Sequence, residues 1–148
     1  MKSLSVKVRI ENENHGKLKQ KKMKRLTTAG RILFALPFAV FGINHFLQMD
    51  FYFGMMTSFI PKTGYIMILT GIMLIAASIS IITRKLVVLS TLLLASLLLI
   101  FILTIHIPHL IHGTDSTVTL ITMLKDISLM GGALMIAGMY NQESGEKK

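Results

Sequence analysis

The residues with the most chemistry to offer stand where water is scarce. Lys125 and Asp126 interrupt an apolar run from Thr117 to Tyr140, Asn44 and His45 lie within another, and His106 closes a third. A charged side chain at the centre of a membrane helix costs about 2.5–3.5 kcal/mol on insertion scales, so it is usually paired and frequently functional. A carboxylate beside an ammonium can lock helices together, hold the polar end of a ligand or pass a proton. A neutral imidazole at His45 can accept from Lys125 or donate to Asp126.

Two further patterns bear on chemistry. Phe34, Phe38 and Phe41 precede His45 by eleven, seven and four residues and share its helical face. That stripe reads either as packing and lipid contact or as the wall of a site for a flat hydrophobic ligand such as a quinone. His106, His109 and His112 are spaced i, i+3, i+6, but Pro108 and Gly113 argue against one continuous helix through them. A zinc or copper site would need converging ligands and a second shell to orient them, so solvated interfacial histidines are the default and no metal is assigned. No Ser-His-Asp order, phosphate loop or paired carboxylate set is present, so no catalytic residue is named. Cysteine is absent, which excludes thiol exchange, disulfides and thiolate ligation.

The elements that must position these groups follow from hydropathy. The chain has 148 residues, 52% of them hydrophobic, with a mean hydropathy of +0.63. The excess is concentrated in blocks. Ile32 to Met49 (18 residues), Thr63 to Thr83 (21) and Leu86 to Ile107 (22) contain no Lys, Arg, Asp or Glu. About 20 helical residues at about 1.5 Å each cover the roughly 30 Å hydrocarbon core. The run holding Lys125 and Asp126 is the fourth span, because its flanks are apolar and it has no soluble core to join. The expected fold is therefore all-α, an integral membrane up-down four-helix bundle. Its spans are residues 29–47, 63–83, 86–107 and 117–140, between a basic flexible tail, 1–28, and a short tail, 141–148.

Charge sets the orientation. Of 16 basic residues, 14 fall in the N-terminal tail through Arg31, at Arg84 and Lys85, or at the C-terminus. The positive-inside rule then places both termini and the middle turn in the cytoplasm. The net charge of +9 is explained by this asymmetry and does not call for nucleic acid as a partner. The cluster Lys17, Lys19, Lys21, Lys22, Lys24 and Arg25 either orients the first helix or attracts anionic lipid or an acidic partner. About 30 polar residues precede the first apolar stretch and no small-residue site follows it, so the helix is expected to be retained.

With that topology the polar groups fall into one layer. Asp126 is 15 residues above Asn141, about 22 Å, and His45 is 14 above Arg31, about 21 Å. Asn44 and Lys125 share that layer and His106, about 31 Å above Lys85, lies slightly further out, so Asn44, His45, His106, Lys125 and Asp126 are expected to line an outward-opening polar pocket. Phe51, Tyr52, Phe53 and Phe59 belong to an external, interfacial segment from Gln48 to Lys62. Gly64, Gly71 and Ser78 form a small-residue seam on span two, and Gly131, Gly132, Ala133, Ala137 and Gly138 form another on span four. Span three, leucine-rich around its circumference, is expected to be the most lipid-exposed.

Gly30-Arg31-Ile32-Leu33-Phe34 leading to Phe41-Gly42-Ile43-Asn44-His45-Phe46 resembles the first helix of the DoxX-like membrane proteins. Phe59-Ile60-Pro61 with Thr70-Gly71-Ile72, Ile105-His106-Ile107-Pro108, and Leu124-Lys125-Asp126-Ile127 running into Gly131-Gly132-Ala133-Leu134 agree with it, over about Gly30 to Gly138. The resemblance implies a small four-helix bundle in the bacterial inner membrane. It places Arg31, Asn44, His45, His106, Lys125 and Asp126 in the polar interior of the family. Members are linked to membrane redox chemistry, including a thiosulfate and quinone oxidoreductase, whereas related bundles look like sterol-binding, chaperone or cargo-receptor proteins. The leading expectation is a non-catalytic or accessory bundle that binds a hydrophobic small molecule or a membrane protein partner. The alternatives are a quinone-linked redox subunit and a proton-coupled transporter using His45 and Asp126.

Overall fold

The computed structural model describes residues 2–55, 64–112 and 116–145, with side chains for 11–54, 64–112 and 116–142. Phe59, Pro61, Lys62, Gly113 and Asp115 lie outside the described residues. Every element in the described part is helical: α1 (Lys2–Leu47), α2 (Met49–Met55), α3 (Gly64–Thr83), α4 (Val87–Phe101), a π-helical turn (Ile102–His106), α5 (Ile107–His112) and α6 (Ser116–Gly145). Four stretches are long and apolar enough to cross a membrane: Glu11–Leu47, Gly64–Thr83, Val87–His112 and Ser116–Gln142. The chain divides into two compact units, Met1–Leu33 and Phe34–Lys148.

The described residues of the first unit all belong to α1. Lys, Leu, Gln and Glu are strong helix formers, Gly16 is the one glycine before Gly30, and proline first occurs at Pro37. Glu13 and Lys17 also stand in the favourable i, i+4 order.

The second unit is an antiparallel bundle whose directions follow from pairs of contacts. Ser78 Oγ donates to the Ala35 carbonyl at 2.9 Å, and Gly42 lies against Gly71, so α3 descends as α1 rises. Phe34 packs on Gly132 and Phe41 lies beside Lys125, so α6 also runs against α1. Arg84 meets Tyr140 while His106 meets Asp126, which makes α6 antiparallel to the helix from Val87 to His112. One apolar core joins all four helices through Ala35, Phe38, Leu74, Ile81, Leu94, Leu98 and Ala133. The outward faces are apolar as well: Leu69, Ile72, Leu92, Ile100, Leu103 and Met135 are exposed, which suits a lipid bilayer and not water.

Close approach decides the α1–α3 contact. A Cβ added at Gly42 would meet Ile75 Cγ1 at 2.6 Å and the Gly71 carbonyl at 2.8 Å, so the helices touch backbone to backbone. The seam expected on α3 is therefore real at Gly71 and Ser78, but Gly64 has nothing within 4 Å of its missing Cβ and does not extend it. Span four behaves likewise. Gly132, Ala133 and Ala137 face the bundle, whereas Gly131 and Gly138 face open space.

Span three was expected to be the most exposed; α4 instead lies between α3 and α6, packed against both. Val87, Thr91, Leu94, Ala95 and Leu98 recur at i, i+4, i+7, i+8 and i+11 and form its buried stripe. Leu92, Leu93 and Leu99 face outward. A helix apolar all round shows no face in its sequence, so only the neighbours reveal which side is buried. The turn into α4 is as short as expected, with Arg84 and Leu86 in left-handed backbone at φ 63° and 53°. Ser80 Oγ donates to the Lys85 carbonyl, and Ser90 Oγ donates to Ser80 Oγ at 2.6 Å.

The break expected at Pro108 is also corrected. Helix continues to His112, and the accommodation lies just upstream: the Ile107 N–H reaches back five residues to the Ile102 carbonyl. Pro108 cannot donate to the Thr104 carbonyl, and its ring crowds that carbonyl; the wider turn makes room.

Candidate functional site

The π turn places His106 against α6. Its Nε2–H donates to Asp126 Oδ2 at 2.8 Å, with both residues 8% exposed. The second carboxylate oxygen, Oδ1, lies 3.4 Å from Lys125 Nζ. One oxygen thus accepts a hydrogen bond and the other faces an ammonium, which offsets the cost of holding a carboxylate in a dry interior. The Lys125 side chain is half exposed, and its ammonium also sits 5.1 Å from the centre of the Phe41 ring. A cation over an aromatic face is held by the ring quadrupole.

From Phe41 the chain of contacts continues to α1 and α2. His45 Nδ1–H donates to the Phe41 carbonyl at 2.7 Å, which assigns the proton to Nδ1 and leaves Nε2 for another partner. Tyr52 stacks on the His45 imidazole, centroids 4.0 Å apart and planes 19° from parallel. Burial raises the Tyr52 hydroxyl above its ordinary pKa and keeps it a neutral O–H donor.

These groups border a cavity of about 500 Å³, within the roughly 300–1,000 Å³ of small-molecule sites. His45, Tyr52, His106, Lys125 and Asp126 all line it. The rest of the wall is mainly apolar, with Phe38, Leu74, Leu97, Leu98 and Phe101 prominent. Leu97 precedes His106 by nine residues, about 13 Å along the helix, so the cavity runs from the polar layer into the hydrocarbon-like interior.

Four of the five residues expected to form the pocket, His45, His106, Lys125 and Asp126, are thus brought together, and Asn44 is not among the cavity's lining residues. The Asn44 carbonyl accepts from the Gln48 N–H at the end of α1. Of the expected aromatic wall, Phe38 and Phe41 line the cavity. Phe34 packs instead on Gly132 and, 5.2 Å away, on Phe38. His109 and His112 do not join His106 at the cavity; His109 Nδ1 is buried with no hydrogen-bond partner among the described residues.

Tyr52, Thr70 and Phe101 were not foreseen as cavity residues. Tyr52 follows His45 by seven residues, a spacing that would have linked the rings had α1 been read as continuing with a break at Gln48. Thr70 and Phe101 carried no signal, since a threonine or phenylalanine in an apolar span looks the same whichever way it faces.

Comparison of this chain with protein-family models, with curated proteins and with solved structures returns no match.

Proposed function

We propose that this protein is a non-catalytic or accessory membrane subunit that binds a hydrophobic small molecule in the cavity bordered by His45, His106, Lys125 and Asp126. One observation carries the reading: an apolar cavity of about 500 Å³ with a contiguous set of polar groups along one part of its wall. An amphiphile fits such a site, its hydrocarbon against Leu74, Leu97 and Leu98 and its polar end within reach of Lys125, Tyr52 and the imidazoles. Asp126 already has an imidazole N–H on one oxygen and an ammonium facing the other, so the site asks for no second cation.

The resemblance to DoxX-like proteins supports this reading and favours the bacterial inner membrane. The distribution of Lys and Arg supports cytoplasmic termini, with Arg84 and Lys85 on the same side. The cavity then opens in the outer half of the bilayer.

Extraction and mass spectrometry of the purified protein tests the proposal. A stoichiometric hydrophobic compound is expected, and it should disappear when Leu97→Trp fills the cavity in a protein that still elutes as a folded species. No bound compound in either form would sink the reading. A quinone-linked redox subunit is the second reading, favoured by the aromatic rings beside polar donors; a bound quinone whose absorbance changes on reduction would select it. Proton-coupled transport stands third, and proton flux into liposomes that Asp126→Asn abolishes would select that.

A further inference from the structure

We propose that the basic half of α1, residues 17–26, docks on anionic phospholipid headgroups. This segment belongs to the first unit and takes no part in the cavity. Lys17, Lys19, Lys21, Lys22, Lys24 and Arg25 are all exposed, and none forms an ion pair among the described residues. Clusters of four to eight basic residues beside a membrane helix are the electrostatic signature of anionic-lipid binding.

Helical geometry sorts these residues onto faces. At about 100° per residue, Lys17, Lys21, Lys24 and Arg25 fall within an arc of about 100°. Leu18, Met23 and Leu26 occupy the remaining side, at 64%, 54% and 65% exposure. Lys19 and Lys22 stand among them, where their long stems can lie along an apolar surface while the ammonium groups reach phosphate. The segment is therefore a helix with one wholly basic side and one mixed side, on which three apolar side chains alternate with two lysines, and both sides are exposed.

The exposed apolar side chains select the partner class. A nucleic acid would neutralise the charges but leave Leu18, Met23 and Leu26 in water, whereas a lipid interface satisfies both faces. The chain itself brings that interface near: Arg25 precedes Ile32, where the charge-free stretch begins, by seven residues, about 10 Å. That is comparable with the roughly 8 Å Debye length at physiological salt.

The absence of cysteine allows a single-site probe in the full chain. Leu18 precedes Ile32 by 14 residues, about 21 Å along a helix, so a label there reaches the interface only if the segment docks. Leu18→Cys carrying an environment-sensitive fluorophore is compared in nanodiscs of zwitterionic and of anionic phospholipid. The expected result is a blue shift and quenching by a lipid-borne quencher in the anionic discs alone. Both should be lost at high ionic strength and in the Lys17→Gln, Lys21→Gln, Lys24→Gln, Arg25→Gln variant, which keeps good helix formers. Identical emission in the two lipids would overturn the proposal. So would a full shift in the glutamine variant, or a shift seen only on adding RNA or an acidic polypeptide.

Discussion

The His106 imidazole and the Asp126 carboxylate, 20 residues apart in the chain, meet at 2.8 Å inside the bundle. The bond ties the π turn to the middle of α6 and fixes one wall of the cavity. Because Asp126 also faces Lys125, the three residues form one unit whose members should not contribute independently.

Asp126→Leu should therefore destabilise strongly, within the roughly 3–5 kcal/mol range for breaking a buried charged pair; the half-exposed Lys125 places the cost toward its lower end. Asp126→Asn, which keeps an acceptor for His106, should cost less. A double-mutant cycle between His106→Ala and Asp126→Leu, read from unfolding in detergent, should give a coupling of about 0.5–3 kcal/mol. Strict additivity would show that the bond contributes nothing.

Gly42→Ala should cost about 1–3 kcal/mol, because its Cβ would press on Ile75 and on the Gly71 carbonyl, and backbone cannot move aside cheaply. Gly131→Ala and Gly138→Ala should be neutral or stabilising by up to about 1 kcal/mol, since open space surrounds both. Thermal midpoints of the three variants in one detergent check the ordering.

Leu86→Gly should raise the thermal midpoint. Leu86 is 73% exposed, so little packing is lost, and its φ of 53° is a conformation that costs a non-glycine residue about 1–2 kcal/mol. An unchanged or lowered midpoint would mean that the turn holds Leu86 without strain.

Tyr52 should ionise above the ordinary tyrosine range, because burial disfavours the phenolate. With the folded-state pKa raised, its contribution to stability is fully present below pH about 10 and is lost as pH rises through the folded value. Tyr52→Phe should remove a late component of the alkaline absorbance titration, and part of the alkaline loss of stability with it.

Four membrane helices, their antiparallel order and the level of the polar layer were legible in the sequence, because the cost of charge in hydrocarbon writes long apolar runs into any chain that spans it. That same cost required Lys125 and Asp126 to find partners, and His45 stood at a matching height with His106 slightly further out. Rotation about each helix axis was not legible. Hydropathy counts residues along an axis and says nothing of azimuth where all sides are apolar, so the burial of α4, the outward position of Gly64 and the separation of Asn44 from the cavity needed the packed neighbours. Tyr52 entered the site through a break in the helix at Gln48, and His106 turned toward Asp126 through a π turn beside Pro108. Both depend on local backbone geometry that composition does not encode. Hydrophobic pattern thus determined what crosses the membrane, and side-chain packing decided which polar groups share a cavity.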